Sequence, residues 1–175
     1  VLNSEPVYFD VVQDASTDEG GVTVIEVIKE NTAQKGIIKI DKSGEIFSSV
    51  TESEGVYQPV FSVKGLAGAV YEITAAEDIY TQDRQTDNYG NRTLWYAKGD
   101  VVAVVTTGDG SADIAAFAPA RTKATYDFLS VIHDGTIGEV SVTLPLGSYH
   151  IEETKPPYGY IGTTESYDVT FAWDN

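Results

Sequence analysis

Apolar and polar residues alternate with a period of two along most of the chain, the pattern of strands that bury one face. Residues 6–12 (PVYFDVV) and 22–28 (VTVIEVI) are the first two such runs, and the polar stretch 13–21 joins them as a hairpin with a long loop. Residues 31–34 (NTAQ) read as a short linker, and a third strand follows at 36–42 (GIIKIDK). Further strands are predicted at 58–63, 69–75, 93–97, 101–106, 125–132, 139–144, 149–153 and 167–173. Turn residues punctuate them at 88–91 (NYGN), 108–110 (GDG), 133–135 (HDG) and 146–147 (LG). Many short strands at such spacing predict a β-sandwich. The only helix the pattern leaves room for is short, at 75–79 or 112–116. On the apolar phase of their strands, Ile38, Ile40, Val70, Leu144, Tyr149, Ile151 and Phe171 are the predicted core.

Composition narrows the picture. The 175 residues are near one ordinary domain length and suffice for a hydrophobic core without covalent staples. Eleven Lys and Arg against 27 Asp and Glu give a net charge of −16, which repels phosphate backbones and anionic lipid, so neither nucleic acid nor a membrane surface is an expected partner. There is no cysteine, which excludes disulfides, thiolate metal sites and a cysteine nucleophile. No apolar run approaches the ~18 residues of a membrane span. A weak internal repeat lays residues 1–13 over 161–173: Glu5 falls on Glu165, and Val7, Phe9 and Val11 fall on Tyr167, Val169 and Phe171 in the same alternation phase. The chain thus reads as beginning and ending at the same point of a tandem unit.

Two charges stand on apolar strand faces. Lys42 is in phase with Ile38 and Ile40, and Glu153 with Tyr149 and Ile151. Either each sits at a strand end and reaches water, or the two form a buried pair. In a buried pair, burial lowers the Lys pKa and raises the Glu pKa, leaving a neutral amine beside a protonated acid. A neutral amine is a nucleophile, and an Asn carboxamide held beside it, polarised by the acid, yields an amide cross-link with loss of ammonia. Proximity supplies the rate, and one turnover suffices.

Three segments carry a family resemblance. Residues 36–42 (GIIKIDK) resemble the opening strand of the Cna-B-type (SpaA-type, prealbumin-like) domains of Gram-positive surface proteins and pilins. Residues 65–73 (GLAGAVYEI) resemble their second signature, and residues 144–160 (LPLGSYHIEETKPPYGY) are similar to the third and most specific one, departing from it at Pro156. The resemblance implies an all-β, immunoglobulin-like or prealbumin-like sandwich in which Lys42 donates the isopeptide bond and Glu153 is the catalytic acid. In the family the acceptor is an Asn ending the last strand. Asn31, five residues before Gly36, occupies that place for a preceding copy, and Asn175 is the alternative acceptor. On this reading residues 1–31 are the C-terminal strands of a preceding repeat, 32–35 a linker, and 36–175 a domain with an insertion at about 108–136 that lacks its last strand. The implied protein is an extracellular, cell-wall-attached stalk or fibre module whose copies join head to tail by strand addition, Lys42 of one unit bonding Asn31 of the next. It is not a turnover enzyme and needs no cofactor.

An adhesin module is the alternative, recognising host glycan or matrix protein through residues 108–136 or the Tyr89–Trp95–Tyr96 region, although strand aromatics more often pack than bind sugar. A hydrolase is the third reading. His133 and His150 are the only histidines, and no nucleophile-elbow motif accompanies them. Asp109 with Asp113, or Asp83 with Asp87, are the cation candidates, but neither pair has the terminal Glu of a calcium loop, so no metal is expected.

Overall fold

The structure, a computed structural model, describes residues 8, 34–80, 94–114 and 130–173. The predicted strands at 6–12 and 22–28, with Asn31, Asp83, Asp87, Tyr89 and Asn175, lie outside the described residues, apart from Tyr8, which is exposed. The chain divides into two compact units, 1–34 and 35–175, the division falling inside the predicted linker.

The second unit is all-β, and no helix occurs among its described residues. Strands β1 (Lys35–Asp41), β2 (Ser43–Ser53), β3 (Val56–Gly65), β4 (Val70–Ala75), β5 (Ile79–Tyr80), β6 (Leu94–Tyr96), β7 (Val101–Thr106), β8 (Ala112–Ile114), β9 (Ser130–Asp134), β10 (Glu139–Pro145), β11 (Gly147–Lys155) and β12 (Ser166–Phe171) follow in order. They form two four-stranded antiparallel sheets, β1-β10-β9-β8 and β12-β11-β4-β7, and two ribbons, β2-β3 and β5-β6. The inner faces of both sheets supply one core: Ile38, Ile40, Val131, Val140, Val142 and Leu144 from the first, Tyr71, Ile73, Val105, Tyr149 and Ile151 from the second. The arrangement is sandwich-like, as strands with one buried face require.

The crossing between sheets sits in the third motif. β10 ends at Pro145, and β11 starts in the other sheet at Gly147. Gly147 has φ +150°, and a Cβ there would come within 2.9 Å of Ile79. The buried Tyr149 hydroxyl donates to Pro145 O at 2.8 Å and pins this corner. Phe171 on β12 packs on Tyr149, ring centroids 6.2 Å apart.

Several expectations are corrected. Residues 112–114 are strand β8, and 75–79 run from the end of β4 through a bend into β5, so neither place is a helix. Val70 is only half-buried because the inward phase of β4 belongs to Tyr71, Ile73 and Ala75. Phe171 is also half-buried, packed against the core from an edge strand. The short strand predicted at 58–63 is half of a longer ribbon whose partner, β2, is absent from the predicted strands. Within the segment 108–136, β8 and β9 are members of the first sheet.

Candidate functional site: a cross-sheet Lys–Glu pair

Lys42 follows β1 directly, where the chain leaves the first sheet for β2. Its backbone is clamped on both sides: its N–H donates to Gly138 O at 2.9 Å, and its carbonyl accepts from Leu66 N–H at 2.7 Å. Gly138, at φ +90°, makes this approach feasible, since a Cβ would stand 2.5 Å from Lys42 O and 2.7 Å from Leu66 N. The 65–73 motif contributes its own lock. Buried Thr107 donates its hydroxyl to Leu66 O at 2.8 Å and accepts from Ala69 N–H at 3.0 Å.

Glu153 belongs to β11 in the other sheet and continues the buried phase of Tyr149 and Ile151. The structure brings the two charges together. Lys42 Nζ lies 2.9 Å from Glu153 Oε1 and donates to Oε2 at 3.0 Å, with side-chain exposures of 15% and 1%. The strand-end alternative, in which each charge reaches water alone, therefore does not describe the pair.

Thr163 completes the site. Its N–H and hydroxyl both donate to Glu153 Oε2, at 3.1 and 3.3 Å. The loop after β11 delivers it: Pro157 is buried, Gly159 turns at φ +86°, and the Tyr160 hydroxyl donates to Glu45 O at 2.8 Å, tying the loop to β2. The KPPYGY segment thus sets the lid over Glu153. Oε1 is buried and accepts no well-aligned hydrogen bond, its contact with Nζ lying off the hydrogen-bond direction.

The electrostatics differ from the neutral pair expected of burial. Burial pushes the Glu153 pKa up, but the bonds from Lys42 and from Thr163 outweigh it, and the carboxyl stays below its usual range. The resting pair is an ion pair. The cross-strand neighbour of Glu153, Tyr71, feels burial first and the carboxylate second, and its phenol is pushed up to about 12.

The remaining candidates are accounted for otherwise. Asp109 accepts from Ser111 N–H at 3.0 Å in an Asx turn, while Asp113 pairs with His133 at 2.8 Å. No cluster of three or more metal-ligating side chains occurs among the described residues. His150 pairs with Asp168 on the outer face of its sheet at 2.8 Å. Tyr96 is buried and Trp95 packs against the core, which is packing and not an open stacking platform. Among the described residues no helix is long and apolar enough to cross a membrane. Thr163 escaped the sequence reading because it stands in a loop without periodicity, ten residues from its partner. No protein-family profile, curated protein or solved structure matches the chain.

Proposed function

We propose that the chain is a stalk or fibre module of a bacterial cell-surface protein, of the prealbumin-like Cna-B kind, stiffened by an isopeptide bond that Lys42 forms with an Asn. The observation that carries this reading is the Lys42–Glu153 pair, buried between two sheets and equipped with an acceptor oxygen, Oε1, that lacks an aligned donor. A buried ion pair adds little net stability over apolar packing, so stability alone is a weak reason for its presence.

The chemistry balances without a cofactor. Entry of an Asn side chain closes the pair off from solvent, and a proton passes from the Lys42 ammonium to Glu153, leaving a neutral amine and a carboxylic acid. The amine nitrogen attacks the carboxamide carbon while the acid hydrogen-bonds the developing oxyanion. Proton return through Glu153 expels the amide nitrogen as ammonia, and an Nζ–Cγ amide bond remains. The Thr163 donors hold Oε2 throughout and leave Oε1 to face the acceptor.

Asn31 of a neighbouring copy is the proposed acceptor, with Asn175 of the same chain the alternative. Among the described residues β1 has one strand neighbour, β10, so its other edge is a place for strand addition beside Lys42. A parallel strand there cannot come from residues 22–31 of the same chain through a four-residue linker, because parallel neighbours need a crossover of a dozen residues or more. Such a contact is heterologous and propagates as a fibre. Intact-mass measurement tests the bond: loss of one ammonia per chain is expected, abolished in Glu153→Ala. A denaturing gel identifies the acceptor, a ladder lost on Asn31→Ala meaning bonds between copies, and a monomer whose ammonia loss is abolished by Asn175→Ala meaning a bond within one chain. An unmodified mass in protein folded at neutral pH refutes the proposal.

A further inference from the structure

The β2-β3 ribbon carries an exposed apolar face with no partner strand or sheet against it among the described residues. Glu54 and Gly55 connect its strands with φ of +54° and +77°, a two-residue turn with both centres left-handed, as tight hairpins of right-handed twist require. Register fixes which side chains share a face. Phe61 opposes Phe47, Val63 opposes Glu45, Pro59 opposes Val50, and Tyr57 opposes Glu52. The bulge between Phe47 and Ser49 matters here, because without it Val50 would turn to the other side. Phe47, Val50, Tyr57, Phe61 and Val63 are 52–69% exposed, and all lie on this one face. On the opposite face Ile46, Val60 and Ser62 are half-buried, and Val56 beside the turn is its one exposed large apolar residue. Phe47 and Phe61 meet edge to face, centroids 6.3 Å apart, which stiffens the surface.

A contiguous apolar face of this kind marks an interaction site. Strand addition along β3 is obstructed by Pro59, which offers no N–H to an incoming strand, and the apolar side chains themselves stand on the face. Charge selects the occupant. The two charged residues on the face are Glu45 and Glu52, one at each end of the stripe, and the chain as a whole carries −16. A second copy laid on this face sets carboxylates against carboxylates in either orientation. We propose that the ribbon docks a polypeptide segment with an apolar face flanked by Lys or Arg at both ends, spaced to meet Glu45 and Glu52 roughly 20 Å apart at ~3.3 Å per strand residue. This surface is independent of the Lys42–Glu153 chemistry.

The test uses two synthetic amphipathic helical peptides with the same Leu stripe, one flanked by Lys and the other by Glu, titrated into the full chain. Binding of the Lys peptide alone is expected, weakened roughly tenfold or more by Tyr57→Ser/Phe61→Ser, in line with truncation of aromatic anchors. Glu45→Gln/Glu52→Gln should flatten its salt dependence. Those side chains are exposed, so the variants keep the fold, which circular dichroism verifies. Equal affinity for both peptides, affinity for the Lys peptide unchanged in the serine variant, or no binding at all overturns the proposal. So does a concentration-dependent dimer abolished by Phe61→Ser, or partition of the ribbon into phosphatidylcholine vesicles without peptide binding.

Discussion

Breaking the Lys42–Glu153 pair one partner at a time should cost far more than removing both. The experiment belongs in an Asn31→Ala/Asn175→Ala background, where neither proposed acceptor is present and only the non-covalent pair is measured. Glu153→Leu leaves a Lys42 ammonium of 15% side-chain exposure facing an apolar group; removal of one partner of a buried pair costs about 3–5 kcal/mol, and the residual exposure places this variant near the lower value. Against a domain stability of roughly 5–15 kcal/mol, that is a large fraction. Lys42→Met leaves a carboxyl that is 1% exposed, with only the Thr163 donors to hold its charge. In the parent protein the folded Glu153 pKa is depressed, so its contribution is present above the unfolded pKa of about 4.3 and is lost as pH falls through the folded value. Without the ammonium, burial is opposed by Thr163 alone and the folded pKa moves up from its value in the parent. The cost of Lys42→Met then grows with pH between the two folded pKa values, by up to ~1.4 kcal/mol per unit. Lys42→Met/Glu153→Leu removes both charges and should recover most of the loss. Urea unfolding of the four proteins between pH 4 and 8 measures all of this. Single variants within about 1 kcal/mol of the parent, or a Lys42→Met cost that does not vary with pH, would refute the buried ion pair.

Other consequences are smaller or more local. Tyr149→Phe removes the hydroxyl bond to the Pro145 carbonyl at the sheet-to-sheet corner and should cost about 0.5–1.5 kcal/mol in urea unfolding. Gly138→Ala combines a left-handed backbone with a close approach to Lys42 O; it should destabilise by roughly 1–3 kcal/mol and slow ammonia loss by displacing Lys42. His133 sets Nδ1 on the Asp113 carboxylate and Nε2 on Thr106 O, both 2.8 Å away and both acceptors, an arrangement that only the doubly protonated ring satisfies in full. Burial opposes that charge, but the Thr106 carbonyl and Asp113 prevail, and the pKa lies above the usual histidine value. The staple therefore stabilises below pH about 6.5 and is lost as pH rises through the folded pKa. A ring-proton NMR titration should show a raised midpoint that falls in Asp113→Asn, and an unshifted midpoint removes the staple.

What the sequence revealed and concealed follows from which residues keep a regular phase. β1 and β11 are legible because their inward positions are apolar without interruption, so the phase of Ile38 and Ile40 extends to Lys42, and that of Tyr149 and Ile151 to Glu153. β2 is not, because Ile46 and Phe47 lie side by side on opposite faces and the bulge at Ser48 resets the alternation before Val50. Its Ser and Glu content reads as loop, and Glu54-Gly55 is not among the strongest hairpin turn pairs. In β4 a single residue of frame separates the two readings: Val70 shares a face with Glu72 and Thr74, while Tyr71, Ile73 and Ala75 point inward. Three apolar residues in one frame outweigh the single Val70 in the other.

The pair itself was accessible by a different route from the fold. Lys42 and Glu153 are 111 residues apart, and no spacing rule connects them. A charge in phase with buried neighbours must find an opposite charge, donors enough to satisfy it, or water, since an isolated buried charge is prohibitively costly. Two such charges of opposite sign on different strands are therefore each other's natural partners before any topology is known. Phase thus leads to the contact but not to its protonation. The acid rests ionised because Lys42 and, after it, Thr163 bond the carboxylate, and Thr163 is brought back onto Oε2 by a proline-anchored loop that alternation does not register. The same threonine shapes the proposed chemistry: its two donors join Lys42 on Oε2, so Oε1, 2.9 Å from Nζ and without an aligned donor, is the oxygen left for an entering carboxamide.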